Sequence, residues 1–137
     1  MAVVQEKLEQ FIREWREENQ GNRQAFIELW RYLEGKAGVI LEFHQRPGVT
    51  HSLRATHPDQ QGRPLFVMVD VIEDTPRWLS VCFYGELITD PEGRGDEVPA
   101  GLLGEDAVCF DMETASPDLL AYIKARIDEA YVAAISA

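Results

Sequence analysis

The chain has 137 residues, enough for one domain, and carries 13 Lys+Arg against 24 Asp+Glu, a net charge of -11. Hydrophobic residues make up 45% of it, so it buries a core, and disorder, collagen and a continuous coiled coil are excluded as descriptions of the whole. No run of about 18 apolar residues is present to cross a membrane, and the acidic balance lacks the basic footprint needed to bind nucleic-acid phosphates.

In chain order, Val4, Leu8, Phe11, Ile12 and Trp15 recur at spacings of three and four, which predicts an amphipathic helix. Asn19-Gln20-Gly21-Asn22 breaks it, with Asn22 placed to cap a second helix. Phe26, Leu29, Trp30 and Leu33 form the apolar stripe of that helix, and Gly35 is positioned to close it in a left-handed conformation. The expectation is a helical hairpin over residues 1–36. Its tryptophans belong to the core, or to an oligomer interface if Trp15 or Trp30 is exposed.

The period then changes to two. Val39, Leu41 and Phe43 alternate with Ile40, Glu42 and His44, and Pro47-Gly48 marks a turn. Val49 to Thr56 reads as the returning strand and residues 57–64 as a loop. Leu65 to Ile72 is the most hydrophobic run and is expected to be a central strand. Asp74 to Arg77 turns the chain into a fourth strand, Trp78 to Tyr84, whose Trp78 joins Phe66, Phe83 and Phe110 as an aromatic core candidate. Residues 85–106 hold five of the ten glycines and read as a long loop. Val108 to Met112 is the fifth strand. Ser116-Pro117-Asp118 opens a final helix over 116–135, with Leu120, Ile123, Ile127, Tyr131 and Ala134 on one face. The predicted fold is a single α+β domain. A five-stranded antiparallel meander over 37–113 is packed by the helical hairpin and the final helix.

Nearly all the excess charge lies between residues 86 and 118, where Arg94 alone stands against ten acids. That segment is a solvated acidic loop, a docking surface for a basic partner, or a weak cation site. Its spacing is not that of an EF-hand.

Three groups of residues carry possible chemistry. With Pro47-Gly48 as a two-residue turn, His44 faces His51 across the hairpin, their Cβ atoms roughly 4.5–5.5 Å apart. Glu42 shares that face, and a His/His/carboxylate set suits iron or zinc. Asp70 stands inside a central strand and Arg54 on the strand before it. They form either a structural ion pair or the polar floor of a ligand pocket lined by Ser52, Arg54, Asp70 and Tyr84. His51 or Asp70 as a general base would make the protein a hydrolase, yet no nucleophile elbow, phosphate loop or zinc-peptidase motif is present. Cys82 and Cys109 sit in apolar runs and read as buried thiols. The N-terminus has no export signal, so a cytoplasmic protein with reduced cysteines is expected.

The segment AVCFDMETASPDLLAYIKARIDEAY resembles the closing strand–loop–helix of the YdhG-like small bacterial α+β domains, with the resemblance spanning about residues 39–133. It implies an uncharacterised, non-enzymatic role in interaction or metal handling and transfers no functional residue. The N-terminal hairpin and the Gly-rich acidic loop depart from that pattern. The leading expectation is a non-catalytic binding domain that works at its sheet face or acidic loop on a ligand, a protein partner or a second copy, without cofactor. A metal-binding protein using His44, His51 and Glu42 is the alternative.

Overall fold

The computed structural model describes residues 2–17 and 20–136, so Asn19 lies outside the described residues. The elements run α1 (Ala2–Glu14), α2 (Asn22–Glu34), β1 (Ile40–Arg46), β2 (Thr50–Thr56), β3 (Val67–Ile72) and β4 (Trp78–Tyr84). A single 3-10 turn (Gly85–Leu87), β5 (Asp96–Leu102), β6 (Glu105–Met112) and α3 (Pro117–Ile135) follow. The six strands form one antiparallel sheet in the order β1-β2-β3-β4-β6-β5.

Two expectations about the sheet are corrected. There are six strands, because part of the acidic segment pairs as β5. The sheet is also not a simple meander, since β6 lies between β4 and β5. The sequence of β5, DEVPAGL, hides it: a proline and a glycine inside a strand are tolerated only where one side of the ladder needs no partner. The edge position supplies that condition.

All three helices lie on one side of the sheet. Phe43, Leu53, Val69, Val71, Val81, Phe83, Phe110 and Met112 point to that side and join Leu8, Phe11, Phe26, Leu29 and Leu33 of the hairpin and Ile123 and Ile127 of α3 in the main core. Fully burying each such aliphatic or aromatic side chain contributes about 1.5–3 kcal/mol. Phe11 packs edge-on against Phe26 and at a tilt against Phe43, with ring centroids 5.8 and 5.3 Å away, tying α1, α2 and β1 together.

The capping signals were partly misread. Ser116 caps α3 as its position predicts, accepting from the Leu119 N–H at 3.2 Å, with Pro117 in the first turn. Asn22 is the first residue of α2 and not its cap. Its buried side-chain amide instead donates to the carbonyls of Arg77 and Glu113 at 2.9 and 2.8 Å. It thereby pins the helix start to two loops of the sheet. Gly35 stays right-handed at φ -75°, and the left-handed glycine after α2 is Gly38, at φ 77°.

The acidic segment is ordered against α3. The Asp90 carboxylate accepts from the Tyr122 hydroxyl and from the amides of Arg94 and Gly95, at 3.0 and 2.9 Å for the amides. Burial pushes the Asp90 carboxyl up, but these donors outweigh it and hold it below the usual carboxylate range. Arg94 binds Asp118 at 2.8 Å, and the Thr89 hydroxyl donates to Glu129 at 2.6 Å. Among the described residues, no helix is long and apolar enough to cross a membrane.

Candidate functional site

Among the described residues no helix lies on the opposite side of the sheet, and alternation along each strand decides what that side presents. Residues directly opposed on neighbouring strands form rows across it. One row reads Glu42, Arg54, Met68, Cys82, Cys109, Asp96, and the next reads His44, Ser52, Asp70, Ser80, Asp111. Arg46, Thr50, Ile72 and Trp78 form a third. Trp78 therefore belongs to this face and not to the core. It is half-buried, and its indole N–H donates to Asp74 at 3.2 Å.

Three of the four expected ligand-lining residues come together here. Ser52 and Asp70 are directly opposed on β2 and β3, and the Arg54 Nε donates to the Ser52 hydroxyl at 3.2 Å. Ser52 is only 5% exposed, and one Asp70 carboxyl oxygen is buried without a partner among the described residues. Burial pushes the Asp70 carboxyl up, opposed by a hydrogen bond from Ser52 and by the charge of Arg54. Ser52, Arg54 and Asp70 thus form one polar group on this face.

Tyr84 does not join them. It faces the same side but is 1% exposed, enclosed with Leu65, Leu102, Ala107 and the two cysteines in a small second core roofed by residues from the loop before β3 and the end of β5. The Arg63 guanidinium lies 4.8 Å from the centre of its ring and is held there by Glu86 and Glu105, each at 3.0 Å. Burial, followed by the negative charge of Glu105, raises the Tyr84 hydroxyl above its ordinary value.

The cysteines are not separate thiols. Cys82 and Cys109 are directly opposed on β4 and β6, with Cα atoms 4.2 Å apart, and form a disulfide. The pairing of β4 with β6, the fourth and fifth strands of the expected meander, brings them together; the expectation of reduced thiols rested on compartment and not on distance.

The histidine geometry differs from expectation by one residue. Arg46 opposes Thr50, not Val49. The β1–β2 loop thus holds three residues, with Gly48 at φ 80° and the Val49 N–H donating to the Arg46 carbonyl at 2.9 Å. A shift of one residue exchanges the faces. His44 now opposes Ser52 on the bare side, hydrogen-bonded to Glu42 at 2.8 Å, and His51 turns to the helix side. There His51 is 4% exposed, its ring 4.5 Å from that of Phe11, with Glu73 3.6 Å from its Nε2. Burial lowers the His51 pKa against the opposing pull of Glu73. His44 and His51 cannot share a metal ion, which corrects the proposed His44/His51/Glu42 set. Among the described residues, no three His, Cys, Asp or Glu side chains are grouped to hold one. His51 is likewise shut away from any substrate that stays outside the core.

Sequence reasoning missed Met68, Ile72, Trp78, Ser80 and Asp111 as members of the face that holds Asp70. Their signal was parity: counting by twos through the Asp74–Arg77 turn places Ser80 beside Asp70. No family model, no curated protein and no solved structure matches the chain.

Proposed function

We propose that this is a non-catalytic binding domain whose helix-free sheet face pairs with a second copy of the chain. The observation that carries the reading is the uneven charge of that face. Its β1–β2 side presents Arg46 and Arg54, with Glu42 matched by His44, and its β6–β5 side presents Asp111 and Asp96. Between them run Met68, Ile72 and Trp78, all partly exposed. A two-fold axis lying between two such faces and running along the strands sets the arginine side of each copy over the acidic side of the other. Isologous dimers require this kind of self-complementarity.

Six strands about 4.8 Å apart, each about seven residues at about 3.3 Å, give a face roughly 24 by 23 Å. The patch of Tyr84, Cys82 and Cys109 roofed by Leu65 and Leu102 is closed to a partner, so two footprints bury less than the ~1,000 Å² of a standard interface and the pairing belongs to the weak, concentration-dependent class. The YdhG-like resemblance of residues 39–133 supports the same non-enzymatic direction.

Charge exchange tests the pairing. Light scattering after gel filtration is expected to give twice the 15.5 kDa chain mass at high concentration. Arg46→Glu alone and Asp111→Arg alone each bring like charges together and shift the protein toward monomer. The double variant restores the pair. A wild type that stays monomeric at every concentration, or a double variant no better than the singles, overturns the reading.

A further inference from the structure

We propose that the free edge of β1 is half of a zinc site. Glu42 and His44 of one chain and the same pair of a second copy close around one Zn(II) and join the two sheets edge to edge. The site is independent of the face pairing, since it uses the rim of the sheet and needs the metal.

The two rims differ. β5, at one of them, carries Pro99 and an irregular register between Val98 and Leu102, devices that blunt an edge. β1, at the other, has neither proline nor glycine, and among the described residues it pairs with β2 alone. Its neighbours fix the phase of its backbone. The carbonyls of Val49 and Ala55 accept from the N–H groups of Glu73 and Phe66 at 3.0 and 2.9 Å. Odd-numbered residues of β2 thus aim their backbone at β3, and even-numbered ones aim at β1. Thr50, Ser52, Arg54 and Thr56 oppose Arg46, His44, Glu42 and Ile40. The N–H and C=O groups of Leu41, Phe43 and Gln45 therefore point outward, away from β2.

That phase sets how a second copy adds. An antiparallel pair centred on Phe43 joins Phe43 to its own equivalent and Leu41 to the second copy's Gln45, so every outward group finds a partner. On the helix side a recess of about 370 Å³ bordered by Val4, Gln5, Leu8 and Leu41 leaves room for that glutamine. On the bare side the same register puts Glu42 opposite the second copy's His44, and His44 opposite its Glu42. These are non-hydrogen-bonded positions, where facing side chains approach most closely.

Within one chain the two side chains already converge, with His44 Nε2 2.8 Å from Glu42 Oε1 and both residues exposed. One chain offers a pair of ligands, which is short of a site. Two copies offer two imidazoles and two carboxylates, the N and O ligand set of tetrahedral zinc. The two carboxylates also cancel the charge of the ion. Without zinc the contact mostly exchanges water for backbone hydrogen bonds, a small net gain, and brings together two chains of net charge -11. The ion supplies the attraction that the bare edges lack.

The test uses the metal-stripped Asp111→Arg chain, whose change lies on β6, away from β1, and takes face pairing out of the readout. Light scattering during titration with zinc chloride is expected to show the mass doubling and levelling off at one zinc per two chains, with reversal by EDTA. Calcium chloride leaves the mass unchanged, because calcium takes oxygen ligands. His44→Ala abolishes the zinc response. Gln45→Pro keeps both ligands but removes an outward N–H, and is expected to weaken the response roughly tenfold. Hydrogen exchange reads the geometry even where Gln45→Pro fails to fold: the amides of Leu41, Phe43 and Gln45 become protected when zinc is added. Four results overturn the proposal: no doubling, zinc bound without a change of mass, doubling that survives His44→Ala, or doubling without protection of those amides. A face pairing that fails its own test leaves all of these outcomes readable.

Discussion

The two faces of the sheet are made by the same strands and differ in almost every respect. Toward the helices, alternate positions read Phe43, Leu53, Val69, Val81 and Phe110. Toward the bare side, their neighbours read Glu42, Ser52, Asp70, Ser80 and Asp111. Each face also holds an exception. His51 is a titratable ring inside the apolar core, and Tyr84 with the Cys82–Cys109 disulfide forms an enclosed cluster on the polar side. Alternation thus assigns a residue to a face, but the elements that cover each patch decide whether that residue meets solvent. Function follows from the second fact more than the first.

The largest expected effect separates the faces by stability. Leu53→Ala removes a fully buried side chain from the helix side and is expected to cost about 2–5 kcal/mol. Asp111→Ala, exposed on the other side, should fall within about 0.5 kcal/mol of wild type in urea unfolding of the monomer. Equal costs would mean that both faces are covered. The next effect concerns the enclosed patch. Cys82 and Cys109 close a loop with a sequence separation of 27, so a chain-entropy account gives the bond up to about 3–4 kcal/mol. Unfolding in urea with and without a phosphine reductant measures it, with the Cys82→Ala/Cys109→Ala variant as the control that should not respond. A wild type indifferent to reductant would show that the thiols were already free. The bond adds stability only where the compartment keeps it oxidised.

Much of the fold was legible because periodicity and capping are local. The change from period 3.6 to period 2 after Gly35, the Trp78–Tyr84 strand and the Ser116-Pro117 helix start all read correctly from neighbouring residues. The failures lie where a residue answers to a distant one. Asn22 looks like a cap but serves two carbonyls 55 and 91 residues away. Pro99 and Gly101 argue against a strand unless it is known to lie at an edge. The candidate metal set failed at the smallest scale, since Pro47-Gly48 permits a two- or a three-residue loop and only the longer one leaves His44 and His51 on opposite faces. Ser52, Arg54 and Asp70 came together because their alternation on β2 and β3 survives any register that keeps the apolar positions buried.

The smallest effect is the sharpest probe of the comparison, because buried His51 on the helix side and half-buried Asp70 on the bare side should respond to pH with opposite sign. His51 has its pKa lowered from 6.5 by burial. Between its folded value and 6.5 the unfolded chain binds more protons than the folded one, so this group costs stability as pH falls below about 6.5. Asp70 has its pKa raised from 3.8, again chiefly by burial. Above 3.8 the unfolded chain gives up its proton first, so the folded state loses stability as pH rises toward the folded value and carries that loss at neutrality. Asp70→Asn is therefore expected to stabilise the protein at pH 7, by roughly 1 kcal/mol for one imperfectly solvated charge, with the gain vanishing as pH approaches 3.8. His51→Leu is expected to flatten the loss of stability on acidification below pH 6.5 and to leave the Asp70 effect intact. Urea unfolding of the three proteins from pH 4 to 8 decides it. If Asp70→Asn destabilises at neutral pH, Ser52 and Arg54 support the charge by more than burial opposes it. The bare face would then hold Asp70 as a firm ion-pair partner and not as a strained carboxylate.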